Sequence, residues 1–147
     1  MRTLSEKLFK LFLFVIAFLI TTEIFAVPEI KIEKAWVAAT EEGVDMSVAY
    51  MSILSHEDLI LTSITSPNIK TIEMHNTFLE KGIMKMRMVH KIKIDRGKTF
   101  EFKSGGSHLM LMDFKGSLKT GQEVKMILHF KDKKNQSFKK SINAIVK

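Results

Sequence analysis

Two short segments of this chain combine soft metal-binding side chains with the period of a β-strand. Met84-Lys85-Met86-Arg87-Met88 places three thioethers on one strand face and two cations on the other. His108-Leu109-Met110-Leu111-Met112 places an imidazole and two thioethers on one face and two leucines on the other. If the leucines enter a core, the His and Met side chains point away from it. Thioethers gain little there unless they bind something or are covered. Thioether sulfur is soft and uncharged, and it suits Cu(I); imidazole binds copper in either oxidation state. Residues two apart on a strand lie about 6–7 Å apart at Cα, close enough to share one ion. Two strands giving one or two ligands each would make a small pre-formed site. Neutral ligands leave the charge of Cu(I) uncompensated, which favours exchange over storage.

The elements that must hold these residues are strands. After Ala26 the hydrophobic period is two. Ile30 and Ile32 alternate with Lys31 and Glu33. Phe100 and Phe102 alternate with Glu101 and Lys103. Val124, Met126, Leu128 and Phe130 alternate with Lys125, Ile127 and His129. Turn signals separate the runs at Glu42-Gly43, Lys81-Gly82, Arg96-Gly97, Gly105-Gly106, Thr120-Gly121 and Lys134-Asn135. This predicts eight or nine short strands in an antiparallel sandwich or barrel, with a short helix around His56 to Leu61.

The chain has 147 residues, 46% of them hydrophobic, enough for one domain with a true core. It has no cysteine, which excludes disulfides, thiolate zinc sites, iron–sulfur clusters and cysteine nucleophiles. Gly97-Lys98-Thr99 lacks the upstream glycine of a phosphate loop, because Ile92 stands there. No G-x-S-x-G or H-E-x-x-H occurs, and nothing in the chain requires an enzyme.

Residues 1–26 read as a secretory signal peptide, with Arg2, Lys7 and Lys10 ahead of the apolar run Leu11–Ile20. An uncleaved membrane anchor is the alternative. Either places residues 27–147 outside the cytoplasm, in the periplasm. Residues 1–26 hold three basic and two acidic residues, so the net charge of +7 becomes +6 without them. Much of the surplus is in the tail, at Lys131, Lys133, Lys134, Lys139, Lys140 and Lys147. The favoured reading is a solvated edge strand protected by lysines; contact with an anionic membrane is the lesser one. Nucleic acid is not an expected partner.

With these residues in hand, the sequence resembles a known family. His75, Met86, His108 and Met110 fit H-x10-M-x21-H-x-M, the motif of the periplasmic Cu(A) copper chaperones, PCuAC. Ala35-Trp36-Val37-Ala38-Ala39-Thr40, Ala49-Tyr50-Met51 and the run Gly106 to Met112 are similar to the same family. The resemblance spans about Ile30 to Phe130. It implies a cupredoxin-like Greek-key β-sandwich holding one Cu(I) through His75, Met86, His108 and Met110. It implies a metallochaperone whose acceptor is a protein such as cytochrome oxidase subunit II, with its Cu(A) centre, or a thioredoxin-fold copper chaperone. The tail is lysine-rich where some relatives carry a His- and Met-rich extension, which speaks against a second copper site, Cu(II) included, of that kind.

On this reading Met84 and Met88 are core residues or neighbours of the ligands, and Met112 is packing. Met46, Met51 and Met126 are core. Trp36 is core or covers the site, and His56, His90 and His129 are surface residues. A metal-free exported adhesion or assembly module is the alternative function. It explains neither the four-residue spacing nor the opposed His/Met and Leu faces.

Overall fold

The computed structural model describes residues 27–147, together with Glu6. The expected signal segment therefore lies outside the described residues. Ten strands run in order: β1 Ile30–Val37, β2 Met46–Ser55, β3 Leu59–Thr65, β4 Ile69–Glu80, β5 Ile83–Met88, β6 Ile92–Ile94, β7 Thr99–Phe102, β8 Ser107–Phe114, β9 Glu123–Lys131 and β10 Ser137–Val146. The fold is all-β, as the period-two pattern predicts. Among the described residues no helix is long and apolar enough to cross a membrane.

The strands join in the order β5-β4-β8-β2-β1-β10-β9-β3-β6, with β7 pairing β2. Neighbours such as β4 and β8, or β3 and β9, are far apart in sequence, which gives the Greek-key crossovers. The β1–β10 pair is parallel and short, meeting at Trp36/Ile145 and Val37/Val146. Every other pair is antiparallel.

Alternation sets the core. In β2, Ser47, Ala49, Met51, Ile53 and Ser55 are buried while the residues between them are not. In β9, Val124, Met126, Leu128 and Phe130 are buried together. Leu109 and Leu111 of β8 join them with no exposed surface. Ser47 enters this interior because its hydroxyl donates to the Ala38 carbonyl at 2.6 Å, so no polar group is left orphaned.

The helix expected near His56 is absent. His56 and Glu57 form a bend, and Leu59, Leu61 and Ile64 are core residues of β3. Asp58 holds that bend. Its carboxylate accepts from the Arg96 amide at 2.7 Å and pairs with Lys133 at 2.8 Å. The tail is also more ordered than a free edge. β10 pairs with β9 along its length, but β1 reaches only its last residues. The stretch with exposed Lys139 and Lys140 keeps one edge free of a strand partner among the described residues, where lysines deter edge-to-edge pairing.

The β4–β5 hairpin carries His75 and the β5 methionines. Glu80 and Ile83 are paired, leaving Lys81-Gly82 as a two-residue loop. Both loop residues have positive φ, 52° and 79°, as a type I′ turn requires. That turn fixes the register of every pair behind it.

Candidate metal centre

β4 lies between β5 and β8, and its register brings the two chemical segments together. His75 of β4 is directly opposite His108 of β8 on one side. It is directly opposite Met88 of β5 on the other. All three therefore share the outer face, with Leu109 and Met74 on the core face beneath. Met110 lies opposite Glu73, one row to one side of the imidazole pair. Met86 lies opposite Thr77, one row to the other side. Directly opposed side chains have Cβ atoms about 4.5–5.5 Å apart, and diagonal neighbours about 7–8 Å. The four residues of the spacing motif thus fall within one small patch on three adjacent strands.

The two rings are 5.8 Å apart between centroids and tilted by 33°. Each has one nitrogen committed. His75 Nε2 is 2.8 Å from the Glu73 carboxylate, which can only accept, so Nε2 carries the proton. In the neutral ring this leaves a lone pair on Nδ1. That atom is buried and has no hydrogen-bond partner. His108 Nδ1 donates to the Gly106 carbonyl at 3.0 Å, leaving the lone pair on Nε2. An orphaned buried nitrogen is costly unless something binds it. Fixing one ring nitrogen by a carboxylate or carbonyl is the usual way a metal-binding imidazole is oriented.

Burial differs among the candidate donors, with Met110 half-buried like His75. His108 is only 6% exposed although it stands on the outer face. His75 is partly buried. Met86 and Met88 are 54% and 46% exposed. The imidazoles are therefore held by hydrogen bonds and burial, while the β5 thioethers stand open to solvent. Among the described residues no three His, Cys, Asp or Glu side chains converge on one point. Any ion held here would need the thioethers.

Several side chains depart from the sequence expectation. Met84 and Met88 are exposed and not core, and of the two it is Met88, opposite His75, that neighbours a candidate ligand. Met46 is 49% exposed and stands opposite Met112 on the outer face, whereas Met51 and Met126 are buried as expected. Trp36 is half-buried and packs on Tyr50 at 4.7 Å. His56 and His90 are exposed, but His129 is partly buried and bonded to Thr65 Oγ1 at 2.9 Å. Sequence reading missed Glu73. It is two residues from His75 and so necessarily on the same strand face, which was a signal available in the sequence. Its carboxylate also places a negative charge beside the expected uncompensated site.

Comparison with known proteins agrees with this architecture. A copper-bound PCuAC domain from PmoF2 superposes with a TM-score of 0.64, covering 84% of this chain and 96% of that one at 24% identity. The solution structure of CuI-DR1885 from Deinococcus radiodurans gives 0.58, covering 86% and 83% at 26% identity. A lipoprotein of Leifsonia xyli subsp. xyli (strain CTCB07), Lxx21020, is 29% identical over 104 residues, 70% of this chain and 63% of that protein. RP573 of Rickettsia prowazekii (strain Madrid E) is 32% identical over 92 residues, 60% of this chain and 51% of its own length. The matched regions span between half and two thirds of these curated relatives. The family model described as "Putative lipoprotein LpqE-like" matches residues 30–142. The fold is that of the PCuAC domains, and the chain belongs to the LpqE-like family.

Proposed function

We propose that this protein is an exported copper chaperone that holds one Cu(I) and passes it to an acceptor protein. The observation that carries the reading is the opposed pair His75 and His108. Each ring is oriented by a hydrogen bond and has one nitrogen left to bind a metal. Met86 and Met110 flank the pair and complete a soft, mostly neutral donor set suited to Cu(I). Zinc is a poor match, because it favours thiolate, imidazole and carboxylate over thioether. The fold shared with copper-bound PCuAC domains supports the same reading. Relatives described as lipoproteins support export, and the acceptor would be cytochrome oxidase subunit II or a thioredoxin-fold chaperone.

The exposure pattern suggests how transfer proceeds. The imidazoles stay in place, while an exposed thioether leaves first as an incoming thiolate or thioether takes its position. Cu(I) then never becomes a free ion. Glu73 keeps the His75 ring in its binding orientation throughout.

The test is thermal. A ligand that binds only the native state raises its stability by mass action. Anaerobic Cu(I) should raise the melting temperature of wild type clearly more than that of a His75→Ala/His108→Ala variant, which keeps only thioether donors. Equal responses in the two proteins would refute the reading and favour a metal-free adhesion or assembly module.

A further inference from the structure

The chain has ten methionines, and nine remain after Met1. Met51, Met74 and Met126 are buried in the core. The other six, Met46, Met84, Met86, Met88, Met110 and Met112, lie on the outer face of three strands. Only some of these can serve the imidazole pair. Met46 and Met112 are directly opposed across β2 and β8, two rows from His108. Met110 is the next outer residue along β8 and is diagonal to Met46. Met46 and Met110 line one open cleft, whose rim includes Val44 and Glu41.

Met110 and Met112 are half-buried, but packing does not account for Met46. Met46 is 49% exposed, so its thioether gains little from burial. Met is an adaptable core filler, but here it sits on the face away from the core. Three flexible thioethers at adjacent cross-strand positions can instead converge on one soft monovalent cation. Glu41 on the rim adds a negative charge that attracts such an ion. The lysine-rich tail argues against a second site in the tail, and this one is in the sheet.

We propose that Met46, Met110 and Met112 form a second, thioether-only site for Cu(I) or Ag(I), adjoining the imidazole pair. Met110 belongs to both positions, so an ion can move between them by exchanging the remaining ligands around one shared sulfur. This use of Met110 rests on the function proposed above. The existence of the thioether site does not.

The probe is Ag(I), which has the same charge and closed d10 shell as Cu(I) and needs no protection from oxidation. The full chain, labelled with 13C at the methionine methyls, is titrated to two equivalents and followed by NMR. The methyl signals of Met46 and Met112 should shift with the second equivalent. In a His75→Ala/His108→Ala variant they should shift with the first. A Met46→Leu/Met112→Leu variant conserves volume and should drop from two bound equivalents to one. Its His75 and His108 ring signals should still respond, which also verifies that it is folded. Met46 and Met112 signals that stay fixed through two equivalents in wild type would overturn the proposal. Shifts of Met46 and Met112 without any response from the His75 and His108 rings would support the thioether site and refute the imidazole site.

Discussion

His75 and His108 stand directly opposite one another on β4 and β8, each with one ring nitrogen tied down and the other left open. No segment of the chain makes this pair alone. It arises because β4, with its hairpin partner β5, docks against β8 in one register. A slip of β4 by one residue would turn the His75 ring to the opposite face from His108 and break the pair.

The Glu73 contact is the first point at which this arrangement can be tested. Glu73→Ala leaves His75 free to rotate and to change tautomer. Loss of such an outer partner typically costs 10- to 100-fold in metal affinity. Cu(I) affinity measured by chelator competition should fall by about that factor. Glu73→Gln retains an acceptor oxygen and should recover part of the loss. An unchanged affinity in Glu73→Ala would mean that the His75 orientation is set by packing.

The β5 methionines can be separated by the register. Motif spacing proposes Met86 as the ligand, but Met88 is the residue opposite His75. Met86→Leu should weaken Cu(I) binding without unfolding the domain, since the side chain is more than half exposed. Met88→Leu should have a smaller effect, and the double variant the largest. Met110→Leu should weaken binding as well. A Met86→Leu protein with wild-type affinity beside a much weaker Met88→Leu protein would reassign the ligand to Met88.

Leu109 separates His108 from Met110 and has no exposed surface. Truncation to Ala leaves a cavity directly beneath the site. The expected cost is about 2–5 kcal/mol, read by denaturant titration of the metal-free protein. A cost under about 1 kcal/mol would show that β8 collapses onto the gap.

His129 gives a pH test remote from the candidate metal centre. Burial, and secondarily the nearby Lys139, hold its imidazole below the ordinary value of 6.5. The folded state therefore takes up this proton less readily than the unfolded state. Stability from this residue is complete well above pH 6.5 and declines as pH falls through that value toward the lower folded one. His129→Gln should flatten the loss of stability between about pH 7 and 5 relative to wild type. The same slope in both proteins would refute the assignment.

The parts of this molecule legible in sequence are those set by local alternation. Val124 to Phe130 and Leu109 with Leu111 are buried as their period requires. Lys81-Gly82 forms the turn that its composition predicts. Long-range register was not legible: the Lys81-Gly82 turn sets Met88 opposite His75, but nothing in the hairpin says that His108 flanks it on the other side. Burial of His108 and exposure of Met46 were missed for the same reason, since cover comes from neighbours that only the tertiary fold supplies. The bulge in β1 was also hidden. There Lys34 takes a φ of 53°, a conformation uncommon for a residue with a side chain. The helix suggested near His56 failed because Leu59 and Leu61 are alternate buried residues of β3, which follows the bend directly.

The most direct test of copper binding at the imidazole pair is an anaerobic Cu(I) competition titration with a chromogenic chelator, comparing wild type with His108→Ala. A tightly bound equivalent is expected in wild type and is expected to be lost in the variant, with the variant still folded. Equal binding by the two proteins, or no binding by wild type, would contradict the assignment of this pair as the copper site.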